Sequence, residues 1–549
     1  MKHFARATAA FAALALLWSG VALGQTPPEK IVPAQPGKRT PLPLPAPQDG
    51  SIRLSLEQAI VLSIANNEDL NVSVNLAEAS NYLLFSNYGI FDPLLTAGVL
   101  RSHAEQPSST VLAGATVQKS DQTDYPVTLS QLLPTGGTVS FAWDANRSST
   151  NSTFFVVNPA YSGSAVVRLN QPLLRNFGAL PTKWNIYIAR NVRDASYLDY
   201  VRTVQTGVNS VEQAYWDLVY SLQNLGVKKE SLTIAQELNR ITKIKIDVGS
   251  LAPIDITQTE VGVANAEQDI ITAEGLVGDA QDRLKRLMNF DRAKWDTPIV
   301  PTDLVRVDNP EQIDLAQGTK VALDRRPEIV KEAYFVDADR IRYEYWRNQS
   351  LVGLNLVGSY GNSGLAGTTF DPNTGAVIGT GDFNDAFRQV RDGSFKNWSV
   401  GLNFSFPILD RAARGQRDAA KYTWDSDKSL LITVQQNVIV EVRGDARAID
   451  TAWRSIISTQ KGRELAEKNL DAEKKKFDNG MSTTFQVNQI QRDLSAARTL
   501  ELQALAAYRK ALASYHLAIA DNLDWKSIRI DGIPETTPPP IPGMKMEPR

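Results

Sequence analysis

Residues 197–225 read YLDYVRTVQTGVNSVEQAYWDLVYSLQNL. Apolar side chains fall at Tyr197, Val201, Val204, Val208, Val211, Tyr215, Leu218, Leu222 and Leu225, in steps that alternate between four and three. A repeat of about 3.5 residues belongs to a helix whose apolar seam is covered by a neighbour along its length. The surrounding stretch 182–247 has no proline and only two glycines, so nothing in it stops a helix. At about 1.5 Å per residue such a helix runs about 100 Å, longer than any globular core. Beyond Val248-Gly249-Ser250 the pattern resumes at Val263, Ala266, Ile270, Ala273, Val277, Ala280, Leu284 and Leu287. A long arm runs out, turns at Gly249, and a shorter arm returns as a helical hairpin.

The arrangement occurs twice. Residues 411–477 also lack proline and carry Val434, Val438, Val442, Ile449, Trp453 and Ile456 on one face. Past Gly480 the stripe continues as Leu505, Tyr508, Leu512, Tyr515 and Ile519. Upstream, LSLEQAIVLSIANNEDL (Leu54–Leu70) aligns with IDLAQGTKVALDRRPEI (Ile313–Ile329), pairing Leu56 with Leu315, Gln58 with Gln317, Leu62 with Val321 and Ile64 with Leu323. Each reads as a short amphipathic helix, a polar break and a second helical stretch. An internal duplication explains the same elements in the same order and predicts pseudo-symmetric halves. The stripes themselves are packing seams rather than ligand sites.

Where the helices stop, the period changes from helical to two. In NWSVGLNFSF (Asn397–Phe406), Trp398, Val400, Leu402, Phe404 and Phe406 face one way, and Asn397, Ser399, Gly401, Asn403 and Ser405 the other. Thr138–Asn146 sets Val139, Phe141, Trp143 and Ala145 against Thr138, Ser140, Asp144 and Asn146. Leu351–Tyr360 puts Val352, Leu354, Leu356 and Tyr360 on one face, and Ser164–Gln171 sets Ala165, Val167 and Leu169 against Arg168 and Asn170. Apolar-out, polar-in alternation over about ten residues marks a membrane-barrel strand, although a half-buried soluble strand has the same pattern. Trp143, Tyr360, Trp398, Phe404 and Phe406 suit membrane-facing aromatic girdles.

The N-terminus supports export. Lys2 and Arg6 precede the apolar run Ala7–Leu17, and Ala22-Leu23-Gly24 offers a cleavage point, so residues 1–24 read as a signal peptide. The alternative, a membrane anchor, needs a span of about 20 residues and the run is shorter. The chain has no cysteine, which rules out N-terminal lipidation, disulfides, a thiol nucleophile and a Cys-ligated metal. No other run of about 18 apolar residues is present, and only helices or closed barrels satisfy the backbone in lipid. Lys+Arg of 58 against Asp+Glu of 60 gives no basic excess for a nucleic-acid partner. With three histidines (His3, His103, His516) and no P-loop, GxSxG or HExxH, the sequence predicts no enzyme, no metal and no cofactor.

Strand counting sets the expected assembly. Each half offers one principal pair: about 94–103 with 164–171, and about 351–360 with 397–406. Four strands cannot close a barrel, whereas three copies supply twelve. The insertion 104–163 holds a further hairpin candidate at Leu133-Pro134-Thr135-Gly136-Gly137, a possible extension of the outer loops. The domain reading is a signal peptide 1–24, a Pro-rich linker 25–50, a first repeat 51–290 with its hairpin at 182–289, a second repeat 291–525 with its hairpin at 411–520, and a Pro-rich tail 526–549.

Together these features resemble the TolC-type outer-membrane efflux family. The residues that carry the resemblance are the duplicated halves, the strand exit Gln171-Pro172-Leu173-Leu174-Arg175-Asn176-Phe177-Gly178, the strand-to-helix segment Phe404-Ser405-Phe406-Pro407-Ile408-Leu409-Asp410, and the tips at Gly249 and Gly480. The resemblance implies mixed all-α and membrane β-barrel architecture. In it, a homotrimer forms a twelve-stranded outer-membrane barrel continued by a long periplasmic α-helical barrel. An equatorial belt would come from Ser51–Tyr82, about 290–345 and the region after Ile519. It further implies an exit duct in a Gram-negative outer membrane, served by a periplasmic adaptor and an inner-membrane pump, in tripartite efflux or type I secretion. Val248, Gly249, Ser250, Leu251, Gly480, Met481 and Ser482 correspond to adaptor-docking tips; the alternative is a plain glycine-ended turn. The family's acidic ring beyond the second tip is replaced here by Gln486 and Gln489, and the matching position of the first tip is Asp255. Asp255 either faces the pore entrance or interacts with the helix dipole after Pro253. A rival of another class is a periplasmic coiled-coil scaffold or adaptor, which would be soluble without detergent.

Overall fold

The computed structural model describes residues 42–45, 50–109, 114–303, 307 and 309–528. Residues 1–24, read above as a signal peptide, and most of the two Pro-rich segments lie outside them. The chain divides into two compact units, one drawing on residues up to Ser80, Arg193–Tyr334 and residues from Ser429 onward, the other on Asn81–Val192 and Phe335–Lys428.

The first unit is built around the long helices. Helix α3 (Ala179–Asp247, 69 residues) and α4 (Ile254–Leu287) form one hairpin, and α8 (Arg411–Asp478, 68 residues) and α9 (Thr484–Ala518) the other. The seam that set the expectation is buried: Val204, Val208, Val211, Tyr215 and Leu218 join Leu284 and Met288 in one core. Two short strands, β1 (Ile52–Leu54) and β7 (Ile299–Pro301), pair in parallel and put Ile52, Leu54 and Ile299 into the same core. The Tyr215 hydroxyl lies 2.6 Å from an Asp303 carboxylate oxygen and 3.0 Å from the Leu54 carbonyl, tying α3 to this pair.

The aligned segments of the two halves adopt matching backbones. Helix α1 (Leu56–Asn66) starts from Ser55, and α5 (Leu315–Arg325) from Asp314; each cap accepts from backbone N–H groups of the first turn. Both helices have 11 residues and end at an extended residue, Asn67 (φ −65°, ψ 125°) or Arg326 (φ −63°, ψ 124°). Helices α2 (Glu68–Tyr88) and α6 (Pro327–Gln349) follow directly.

The second unit is dominated by an antiparallel sheet. Its strands are β2 (Leu94–Ala97), β3 (Leu100–Pro107), β4 (Val117–Leu132), β5 (Thr138–Thr150), β6 (Val157–Pro172), β8 (Gly353–Phe370), β9 (Val377–Gly379) and β10 (Phe395–Ser405). The order is β10-β8-β6-β5-β4-β2, with β3 continuing beside β4 and β9 beside β8. Two expectations are corrected here. The strand near residues 94–103 does not pair with 164–171, and the insertion is not confined to loops. Strands β4 and β5 fill it, and both lie in the sheet between β3 and β6. The physical reason is visible at Leu133–Gly137, where the Leu133 N–H bonds the Gly137 carbonyl at 2.7 Å and closes a tight hairpin. Its flanking strands alternate as regularly as the four that were counted.

A short helix, α7 (Phe383–Asp392), lies against β6 and β8. Phe383, Ala386, Phe387 and Val390 recur at helical spacing and face the sheet, where the Phe387 ring lies tilted 4.9 Å from Trp143 and the Phe383 ring edge-on 4.8 Å from Tyr161. Gly364 permits this approach, because a Cβ there would collide with the Ala386 carbonyl.

Candidate channel wall and hairpin tips

The register of the sheet separates two faces. Directly opposed residues in an antiparallel pair share a face, so one row crosses all six positions as Leu95, Leu129, Phe141, Val167, Tyr360 and Trp398. The neighbouring row runs Val139, Leu169, Gly358, Val400, and below it Leu356 pairs with Leu402 and Leu354 with Phe404. This face is uncovered over much of its area: Trp398 is 73% exposed, and Val400 and Phe404 71% each. The opposite face carries Ser130, Ser140, Arg168, Ser359 and Ser399 in one row, with the Ser359 and Ser399 hydroxyls 2.8 Å apart. A soluble sheet buries its apolar face; here much of the apolar face is left bare, as a lipid-facing wall requires.

Of the sequence-predicted aromatics, Trp143, Tyr360, Trp398 and Phe404 all fall on the apolar face. Trp143 is partly covered by α7, and Phe406 lies just past the end of β10. The cover supplied by α7 was missed in the sequence, although its Phe383, Ala386, Phe387, Val390 spacing was legible there. Farther along the same face the side chains become charged, with His103, Glu105, Lys119 and Asp121 paired among themselves. An apolar band bounded by charge is the profile of a wall that leaves the membrane.

The two hairpin tips lie together in the first unit and share one backbone design. Gly249 and Gly480 both have φ of 74°. The Ser250 N–H bonds the Lys245 carbonyl at 2.7 Å, and the Met481 N–H bonds the Lys476 carbonyl at 2.8 Å. Both close the preceding helix through a left-handed glycine. Beneath the tips, Leu238, Leu470, Phe477, Val487, Ile490 and Leu494 form a local core with Leu251 against it. Polar contacts add to it. The Lys245 ammonium reaches the Phe477 carbonyl at 2.7 Å and sits 4.1 Å above the Phe477 ring. The buried Thr484 hydroxyl donates to an Asp255 carboxylate oxygen at 2.7 Å, and the Asn488 amide donates to the Gln258 carbonyl at 3.0 Å. Lys245, Phe477, Thr484 and Asn488 were not identified from the sequence, since pairing across more than 200 residues leaves no local signal.

The predicted tip residues are placed as follows. Asp255 is half-buried in the first turn of α4, held by Thr484. Gln486 is exposed in the first turn of α9, and Gln489 is bonded to Arg492 and Asp493. Val248 and Met481 are exposed, while Ser482 donates to Glu473 at 2.5 Å. Ile254 and Phe485, which occupy like positions in the first turns of α4 and α9, are also exposed, 66% and 57%. Among the described residues no group of His, Asp or Glu is placed to hold a metal ion, and no helix is long and apolar enough to cross a membrane.

The model of the family described as outer membrane efflux protein matches residues 100–289 and 319–519. The chain belongs to that family. The two matched segments fall one in each half of the chain. The chain is also similar to a nodulation protein T of Rhizobium leguminosarum bv. trifolii, 23% identical over 370 residues, covering 65% of this chain and 72% of that protein. In fold it resembles the solved outer-membrane channel OprN (14% identity, TM-score 0.64, 86% of this chain and 90% of that one). It also resembles the Campylobacter jejuni CmeC outer membrane channel (16% identity, TM-score 0.62, 85% and 86%). In the first unit of the chain, a buried arginine is held by two carboxylates. Arg326, 2% exposed at the side chain, lies 2.5 Å from Glu441 and 3.1 Å from Glu328; burial opposes its charge, and these carboxylates more than offset that. Near this pair, burial and Glu441 push the Asp445 carboxyl up to about 6.

Proposed function

We propose that this outer membrane efflux protein works as a passive exit duct made of three copies. Their sheets join into one barrel in the outer membrane, and their helical hairpins continue it as a periplasmic tube. The observation that carries the reading is the bare apolar face of an open-edged sheet whose opposite face is polar. Such a sheet satisfies its edges and its exposed face only in lipid and with further strands. The helix pairs and the similar backbones of the two halves support an origin by duplication and a tube of twelve helices.

The tips are the proposed gate and docking end. Exposed Val248, Ile254, Met481 and Phe485 give apolar knobs for a periplasmic adaptor, which in turn links to an inner-membrane pump that supplies the energy. The cross-tip contacts Lys245–Phe477 and Thr484–Asp255 hold the closed form, and their loosening opens the entrance. With Gln486 and Gln489 in place of acids, any cation preference there rests on three copies of Asp255. Signal-peptide cleavage after residue 24, an unlipidated N-terminus and the absence of enzymatic activity belong to the same reading.

The test uses Gln486→Cys in this cysteine-free chain. Joining the cysteines of adjacent copies with a bifunctional thiol reagent should abolish conductance in planar bilayers and block export in cells. A reductant-cleavable reagent should let both recover. Unchanged conductance after complete cross-linking would refute a gate at the tips.

A further inference from the structure

We infer that the barrel wall of this duct contains eighteen strands, six from each copy, with the β4–β5 hairpin as a full part of the wall. The inference rests on the three-copy reading above and concerns the kind of edge each copy offers the next. Three observations within the sheet carry it.

The first is pairing. Strand β4 is in register with β5 over Ser120–Leu132, and β5 with β6 over Thr138–Ser148. Strand β6 then meets β8 along almost all of its length, and β3 with β2 forms one edge along β4. These are continuous ladders, comparable with the β8–β10 ladder of Gly353–Ser363. A loop folded over the mouth would not make them.

The second is reach. The β4–β5 turn lies at the helix end of the sheet, where the Gly178 N–H bonds the Thr135 carbonyl at 3.0 Å and the Thr135 hydroxyl donates to the Gln171 side chain at 2.8 Å. Gly178 immediately precedes α3. The hairpin therefore crosses the whole height of the wall, down to the level where β6 hands over to its helix.

The third is chemistry. The apolar row crosses β4 and β5 as Leu129 and Phe141 in line with Val167, Tyr360 and Trp398, while Ser130 and Ser140 line the polar side with Arg168 and Ser359. An outer loop or an internal plug has no use for an apolar row continuous with the lipid-facing one; wall strands do.

Six is also a number that closes. Strands alternate in direction from β3 to β10, so the two free edges, β10 and β2–β3, run in opposite senses. Each can take the other from a second copy of this chain in an antiparallel pair, with no parallel mismatch at the seam. Strands about 4.8 Å apart and tilted about 40° give a wall about 36 Å across for eighteen strands, against about 24 Å for twelve. Barrels of 16–18 strands enclose an aqueous channel. The outer segment is thus about half as wide again as the family's twelve-stranded form, so cargo size is limited at the helical tips and not in the membrane. The neighbour that completes each edge is a second copy of the same chain.

Electron cryo-microscopy of the full-length protein in lipid nanodiscs, with copy number from light scattering, tests this directly. Three copies with eighteen strands, β4 and β5 between β3 and β6 in each, is the expected result. Three copies with twelve strands, the hairpin standing out of the wall, would overturn the inference and leave the duct reading intact. A different copy number, or no closed wall, would overturn both. A chain lacking residues 117–150 loses two adjacent strands and keeps the antiparallel order. It should form a ring reduced by a third in circumference, and an unreduced ring would count against the inference.

Discussion

The tips at Gly249 and Gly480 have one backbone and two chemistries. Both glycines take φ of 74° and both turns are closed by the same pair of bonds. Yet Lys245 leaves its own hairpin to hold the Phe477 carbonyl and ring, whereas Lys476 stays home, 3.1 Å from Glu473. One tip reaches out and the other is closed on itself. Two hairpins can share a turn geometry, which depends on glycine, while the contacts that lock them together are asymmetric.

The largest effect should fall on Phe477. Phe477→Ala removes a nearly buried ring from the tip core and should cost about 3 kcal/mol, read as a lower thermal midpoint of the helical signal in detergent. Its counterpart at the first tip, Ile246, is only half-buried. Ile246→Ala should therefore cost less, and equal losses would erase the asymmetry.

Lys245→Met should cost about 1–2 kcal/mol, since it loses a charge-assisted bond and a cation–π contact. Lys476→Met should cost under about 0.5 kcal/mol, because the lysine itself is more than half exposed and Glu473 keeps the bond from the Ser482 hydroxyl. The same two variants should differ in bilayers, with K245M opening more readily. By contrast, Gly249→Ala and Gly480→Ala should each cost about 1 kcal/mol, and equally, because a left-handed conformation disfavours any Cβ and neither has a neighbour within 4 Å.

A second asymmetry lies along the two long helices. Helix α3 buries Ala214 in an apolar core, whereas α8 carries Asp445 beside Glu441 and Arg326. The Asp445 pKa, about 6, stands above the ordinary 3.8, so its stabilising contribution is complete below about pH 4 and is lost as pH rises through about 6. Asp445→Asn should thus raise stability at pH 8 by about 1 kcal/mol and leave it unchanged at pH 4. The check is a pair of melts at the two pH values. The smallest change in stability belongs to Asp255→Asn, whose oxygen can still accept from Thr484. Its expected effect is on the reversal potential in a salt gradient, where cation preference should fall; Gln486→Glu should raise it.

Much of this fold was legible from the residues. The long helices announced themselves because a 3.5-residue seam repeated over many turns admits no other structure. The glycine turns and the matched starts at Ser55 and Asp314 were legible because caps and turns are local. The face assignments of Trp143, Tyr360, Trp398 and Phe404 followed from a period of two. The strand partners did not. Val139 to Ala145 alternates whether it lies in a loop hairpin or in the wall, and its place between β4 and β6 depends on hydrogen bonds to residues distant along the chain.

The sequence by itself therefore determined the elements, the like order of the two helical hairpins and which side of each strand is apolar, since these depend on side-chain periodicity and on backbone preferences within a few residues. Only the tertiary structure decided that β2–β3 and β6 are separated by two further strands, that α7 covers part of the apolar face, and that Lys245 and Thr484 link the tips. Those outcomes arise from contacts between segments far apart in the chain, where burial and hydrogen bonding act only after the elements have met.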